Sequence, residues 1–133
     1  QKDYLVIGLG RFGRAVCESL VKRGQSVLGV DIDPKLVQEA SNWLTQAVIL
    51  DSTDREALEE IEAQQFSTAI VAIGANFEAS ILTTIVLKDL GIPRVISKAL
   101  TTLHERVLLK VGADEVIFPE RQAGYALGEK LSS

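Results

Sequence analysis

The chain has 133 residues, 47% apolar and 24% charged, the balance of an ordinary globular protein and a length that suits one domain burying roughly two thirds of its unfolded surface. A formal net charge of −4 argues against general nucleic-acid binding, which draws on a basic face to release counterions, but leaves room for one small polyphosphate held by local N–H groups. The single cysteine, Cys17, excludes an internal disulfide and fits a reducing compartment, and no apolar run approaches the ~18 residues needed to span a bilayer.

The first residue is Gln1 rather than Met, so the chain is expected to be part of a longer polypeptide. Its first strand is read over 5–7, followed at once by Gly8, Gly10 and Gly13 in G-x-G-x-x-G spacing. In a strand-turn-helix unit Gly8 permits the tight turn, Gly10 lets backbone approach a phosphate, and Gly13 lets the helix pack close to the strand. A helix over 11–23 then aims its unpaired N–H groups at the anion, with Gly24 as its C-terminal cap. The second strand, 26–31, ends in Asp31, eighteen residues beyond Gly13, where a carboxylate would accept hydrogen bonds from an adenosine ribose. Asp33-Pro34 opens a helix reaching 42, with Asp33 as cap. A third strand covers 47–50, and Thr53-Asp54-Arg55-Glu56 is a capping box for a helix ending at 61. The fourth strand, 68–73, is continuously apolar. A longer helix covers 77–90, stopped by Gly91 and Pro93. The fifth strand is placed at 94–99, the capping box Thr102-Leu103-His104-Glu105 opens a helix to 110, a sixth strand follows at 115–118, and a last helix over 120–131 carries Ala123, Ala126, Leu127 and Leu131 on one face.

Six alternations of strand and helix with short connections imply an α/β fold: a Rossmann-like, doubly wound parallel six-stranded sheet, order 3-2-1-4-5-6, with right-handed crossovers and ligand at the carboxyl ends of strands one and four. The whole chain, 1–133, is one such unit. An oxidoreductase would need a second substrate site and a proton donor or acceptor near the hydride, and this unit ends where the nucleotide-binding part ends. His104, the only histidine, is read as a partly exposed helix residue, and Cys17 as a packed thiol. The expectation is therefore no enzyme activity; the cofactor-binding half of an NAD-dependent oxidoreductase is the alternative.

Around the crevice, Asp31, with Ile32 beside it, would repel a 2′-phosphate and disfavour NADP. Arg11, at a helix start where its charge opposes the dipole, is explained by a nearby anion. Asp51, Ser52 and Thr53 sit where an adenine edge would lie, Asp51 being the candidate for base contact. Ala72, Ile73, Gly74, Ala75 and Asn76, at the tip of the fourth strand, border ribose and adenine, although Asn76 equally suits a helix cap. Lys98, at the end of strand five, either faces the crevice or covers the sheet edge.

Val6-Ile7-Gly8-Leu9-Gly10-Arg11-Phe12-Gly13, Asp31, Asp51-Ser52-Thr53, Val71-Ala72-Ile73-Gly74-Ala75-Asn76 and Gly112-Ala113-Asp114-Glu115-Val116-Ile117-Phe118-Pro119-Glu120 together resemble the N-terminal domain of the regulator-of-potassium-conductance family (RCK or KTN, TrkA-N). The likeness covers essentially the whole chain and is greatest to the cytosolic gating subunit of Ktr-type bacterial potassium uptake systems. The resemblance implies a cytoplasmic domain that dimerises, enters an octameric ring and docks beneath a membrane potassium-transporting subunit. It implies ATP or ADP, and in some members NAD(H), in each crevice. Gly8, Leu9, Gly10, Phe12 and Gly13 would then belong to the phosphate turn, Asp31 to the ribose, Arg11 to a terminal phosphate across a dimer interface, and Glu120 to a divalent or monovalent cation. The final helix would cross to a partner, with Ala123, Gly124 and Gly128 allowing close approach, and the usual C-terminal RCK lobe lies outside this chain.

Overall fold

The computed structural model describes residues 2–133. Six parallel strands form one sheet in the order β3-β2-β1-β4-β5-β6, as the alternating pattern predicts. They are β1 (Lys2–Ile7), β2 (Val27–Asp31), β3 (Gln46–Ile49), β4 (Phe66–Val71), β5 (Arg94–Lys98) and β6 (Glu115–Ile117). The helices are α1 (Arg11–Lys22), α2 (Pro34–Ala40), α3 (Arg55–Glu60), α4 (Phe77–Asp89), α5 (Thr102–Lys110) and α6 (Pro119–Ser132). A 3-10 turn at Ala63–Gln65, not expected from the sequence, leads into β4.

The sheet grows one way through β1-β2-β3 and the other way through β4-β5-β6, so right-handed crossovers place α1 and α2 on one face and α4 and α5 on the opposite one. Alternate strand residues accordingly enter different cores. Leu5, Ile7, Leu28, Val30, Ala69 and Val71 pack with Leu58 and Leu87. Val6, Val27, Ile70 and Ala72 pack with Cys17, Val37 and Leu44 on the other side. This two-sided cover explains why the strands read as unbroken apolar runs.

The strand and cap boundaries differ from expectation in instructive ways. β4 begins at Phe66 and ends at Val71, because its ladder partner β1 ends at Ile7, opposite Val71. Ala72 and Ile73 are thereby released into the loop above the sheet. The cap of α3 is Asp54, whose carboxylate accepts from Glu56 and Ala57 N–H, and not Thr53. The Thr53 hydroxyl instead donates to Asp51. The cap of α5 is Thr101, accepting from His104 N–H, and not Thr102. In each case the residue in extended conformation just before the first helical turn has the reach to the orphan N–H groups. Asp33 and Asn76 cap α2 and α4 as read from sequence. The apolar face expected on the last helix stays open among the described residues: 120–133 are all exposed, with Tyr125 at 71% and Leu131 at 77%.

The β1–α1 junction is the tightest place in the fold. Gly8 has φ +104°, and a Cβ there would stand 2.7 Å from the Ala72 carbonyl oxygen, so both conformation and space demand glycine. A Cβ on Gly13 would overlap the Gly8 carbonyl oxygen. Gly13→Ala therefore has to push α1 off β1, and urea unfolding should show a loss of ~1–3 kcal/mol, the usual cost of overpacking.

Candidate functional site

Strands β1 and β4 are neighbours whose crossovers leave in opposite directions, so a crevice opens at their carboxyl ends. A cleft of about 980 Å³ occupies that place, bordered by the β1–α1 turn, the tips of β2, β3 and β4, the β5–α5 connection and the start of α6. Ile7, Gly8, Gly10, Arg11 and Phe12 form its floor and one rim.

The turn itself is braced from β2. The Asp31 carboxylate accepts from the Leu9 N–H at 2.7 Å and from the Asp33 N–H at 2.9 Å, while Gly8 N–H donates to the Val30 carbonyl at 2.8 Å. Leu9 points into the core, 3% exposed, into space that Gly29 leaves: a Cβ on Gly29 would stand 3.0 Å from a Leu9 methyl. Leu9 and Gly13, both read as phosphate-turn residues, thus shape the turn from beneath and do not line the cleft. Gly10 differs from its two companions. Nothing lies within 4 Å of where its Cβ would be, and its φ of −73° suits any residue. The fold does not require glycine there.

Directly above Gly10 is the N-terminus of α1, which has no side-chain cap and no acidic residue in its first turn. Its orphan N–H groups and positive dipole end therefore face the cleft without a capping side chain. Arg11, exposed, lines the same rim, and among the described residues no carboxylate pairs with it. Lys98 reaches the same region, its ammonium 5.6 Å from the Phe12 ring centroid and 3.8 Å from where a Gly74 Cβ would be. It faces the crevice.

The tip of β3 brings a second carboxylate to the rim. Asp51 accepts from both the hydroxyl and the N–H of Thr53, at 2.7 and 3.0 Å through the same oxygen, and these bonds hold its carboxyl below the usual carboxylate range. Its second oxygen has no described partner. Ser52 borders the cleft, but its hydroxyl, 2.7 Å from Thr83 Oγ1, is turned into α4, and that of Thr53 is committed to Asp51. Of these three residues, Asp51 alone keeps a side-chain polar atom available. Ile32, 65% exposed, with Leu36 and Leu50, supplies an apolar patch beside Asp31 and Asp51. Ala72, Ile73, Gly74, Ala75 and Asn76 form the opposite bank, and the Asn76 carbonyl oxygen is occupied by the Ala79 N–H.

The far wall was only partly legible. Glu120 borders the cleft as expected, but so do Leu100, Thr101, Phe118 and Arg121, the last with its guanidinium 3.7 Å from the Phe118 ring centroid. Their signal in the sequence is their place at the carboxyl ends of strands five and six. No group of three or more His, Cys, Asp or Glu suited to a metal ion occurs among the described residues. Cys17 is fully buried and its thiol is pushed up to about 12, chiefly by burial and then by Glu18, so it is unreactive packing. His104, expected to be partly exposed, is 2% exposed, because α5 turns it under α4 where the Phe77 ring covers it at 4.6 Å.

Comparison with known proteins agrees with this fold. The chain is 43% identical over its full length to the Ktr system potassium uptake protein C of Bacillus subtilis, spanning 60% of that protein, and 44% identical over 98% of its length to the Ktr system potassium uptake protein A of the same organism, spanning 59% of it. Among solved structures, the TrkA-N domain of the Escherichia coli inner membrane protein ybaL superposes with a TM-score of 0.87 at 18% identity, over 98% of this chain and 96% of that one. The GsuK bound to ADP gives 0.82 at 18% identity over 96% of this chain and 34% of that one, and the GsuK channel bound to NAD gives 0.79 at 15% over 88% and 21%. At these identities the structural likenesses speak for the fold. The TrkA-N domain matches residues 4–119, and the chain belongs to the TrkA-N family.

Proposed function

We propose that this chain is the nucleotide-binding N-terminal domain of a potassium-uptake regulator, binding ATP or ADP, with NAD(H) as a further ligand, and acting mechanically rather than as an enzyme. The observation that carries the nucleotide reading is the empty space at Gly10, beneath an uncapped helix N-terminus and beside an unpaired arginine. A purely structural turn accounts for Gly8 and Gly13 but leaves Gly10 unexplained. A phosphate group accounts for all of these features together. Arg11 and Lys98 stand by the glycine turn, whose Leu9 N–H is held by the Asp31 carboxylate, and Asp51 stands beside the apolar patch of Ile32, Leu36 and Leu50, which fits phosphates at one end and adenosine at the other. The free oxygen of Asp51 is the group for an exocyclic amine, and a lone pair on Asp31 is left for a ribose hydroxyl.

The regulatory reading rests on the Ktr relatives, of whose length the chain spans about 60%. A cytoplasmic subunit docked beneath a membrane potassium transporter fits their names, and among the described residues no helix is long and apolar enough to cross a membrane. The bare apolar face of α6, with Tyr125, Leu127 and Leu131 exposed, fits a crossing to a second copy in a dimer, and through it an octameric ring. ATP and ADP differ by one phosphoryl group, so only contacts to that group discriminate them. Arg11, reaching a nucleotide on the neighbouring copy, would turn this contact into a dimer angle, with a coupling of ~1–3 kcal/mol. Glu120 offers one carboxylate to a cation, which would draw its remaining ligands from phosphate oxygens and the second copy. The oxidoreductase alternative would need its catalytic acid or base outside these residues, since the ring of the only histidine is enclosed.

Three outcomes test this reading. Arg11→Ala should abolish the preference for ATP over ADP in calorimetry; an unchanged ratio would refute the switch role. Gly10→Ala should lower ADP affinity by roughly tenfold or more, since a methyl group takes the phosphate's place, while stability in urea changes by no more than ~1 kcal/mol. Asp31→Asn should weaken ADP binding and also cost ~1–3 kcal/mol of stability, because one amide oxygen cannot serve two N–H groups as the carboxylate does; a loss of affinity at full stability would mean that the brace is unimportant.

A further inference from the structure

His104 belongs to α5, but the groups its ring touches lie on other elements. Ser80 Oγ of α4 is 3.0 Å from Nε2, and the Leu100 N–H donates to Nδ1 in a long bond of 3.4 Å. A backbone N–H can only donate, so Nδ1 is the acceptor and the ring is the neutral Nε2–H tautomer, donating to Ser80. The N–H of His104 itself donates to Thr101 Oγ1 at 3.0 Å. One residue thus holds both Leu100 and Thr101, and these two form part of the cleft's far wall.

Ser80 belongs to an unusual helix surface. The face that α4 turns inward carries hydroxyls: Ser80, Thr83 and Thr84 are all fully buried. Thr83 meets Ser52 at the tip of β3, and Thr84 meets Ser97 of β5 at 2.8 Å while donating to the Ser80 carbonyl. Buried hydroxyls of this kind fix one register of helix on sheet, since a slip would leave each of them unpaired. The far wall is therefore anchored, through His104 and Ser80, to a helix whose position is itself specified.

We propose that His104 is a positioning residue of the nucleotide cleft, holding the β5–α5 connection against α4 as a neutral imidazole, so that its protonation releases this wall and loosens bound nucleotide. The proposal rests on the nucleotide reading above. A proton on Nδ1 would oppose the Leu100 N–H donor to donor, and the new charge would sit at the positive end of α5. The charged side chains on the elements packed around the ring are Glu78, Lys88 and Asp89 of α4, Arg94 and Lys98 of β5, and Glu105, Arg106 and Lys110 of α5; none hydrogen-bonds to it or pairs with it. Burial holds the ring below the ordinary histidine value of 6.5. The native contacts thus favour the neutral form, and their contribution declines as pH falls below that value.

His104 is the only histidine, so its ring signals in nitrogen-15 NMR are unambiguous. The expected result is the Nε2–H tautomer in the free protein and a titration midpoint that moves lower when ADP saturates the cleft. Reciprocally, ADP should bind about 5-fold or more weakly at acid pH than at about pH 8. The phosphate of ADP titrates in the same range, so the comparison is with His104→Gln, whose amide can accept from Leu100 and donate to Ser80 without taking a proton. That variant should bind as wild type does at about pH 8 and lose the additional acid weakening. His104→Leu should bind about 5-fold or more weakly at every pH while still unfolding cooperatively. A midpoint unchanged or raised by ADP, an Nδ1–H tautomer, or pH profiles that coincide in wild type and His104→Gln would overturn the proposal alone. Failure of wild type to bind ADP at about pH 8 would overturn the nucleotide reading with it.

Discussion

The Asp31 carboxylate, shared between the N–H groups of Leu9 and Asp33, is the constraint on which the cleft depends. It ties the turn after β1, at the edge of the crevice, to the turn after β2. The packing beneath is equally strict. Gly8 fits under Ala72, Gly13 under the Gly8 carbonyl, and Leu9 over Gly29. With those positions set, the first turn of α1 has one direction available, and its unpaired N–H groups face the opening. Asp31 is commonly read as a ribose ligand in such sites; here it is first of all a strut.

The second organising feature is the difference between the two faces of the sheet. The α1–α2 face is sealed with aliphatic and aromatic side chains. The α4 face combines such a core at Leu87 and Ile92 with hydroxyl pairs nearer the cleft. An apolar contact tolerates small sliding, whereas paired hydroxyls lose their partners on a shift of an ångström or so. The cleft walls made by Ser52, Leu100 and Thr101 therefore rest on the part of the fold with the least positional freedom.

Physical chemistry also accounts for what stands apart from the single chain. α6 begins at Pro119, and from Glu120 onward every residue is exposed, although its sequence carries Tyr125, Leu127 and Leu131. Its first residues border the cleft. One helix thus borders the cleft at one end and presents an uncovered apolar face along its length.

Much of this was legible from residue order alone. Period-two burial under two helical layers produces continuous apolar strands, short alternating segments imply a doubly wound parallel sheet, and G-x-G-x-x-G followed by an acidic strand end selects the nucleotide-binding order and marks the crevice. These are local or topological rules, and they need no knowledge of packing. Three-dimensional packing alone decided how each polar atom was used: that the hydroxyls of Ser52 and Thr53 are spent within the protein while Asp51 keeps an oxygen free, that Leu9 points inward, that Asp54 and Thr101 cap where Thr53 and Thr102 were expected, and that His104 is enclosed. A side chain's hydrogen-bond partner lies wherever the fold brings a complementary group within about 3 Å, and for Ser52 and Thr83, or Ser80 and His104, that meeting is between residues far apart in the chain.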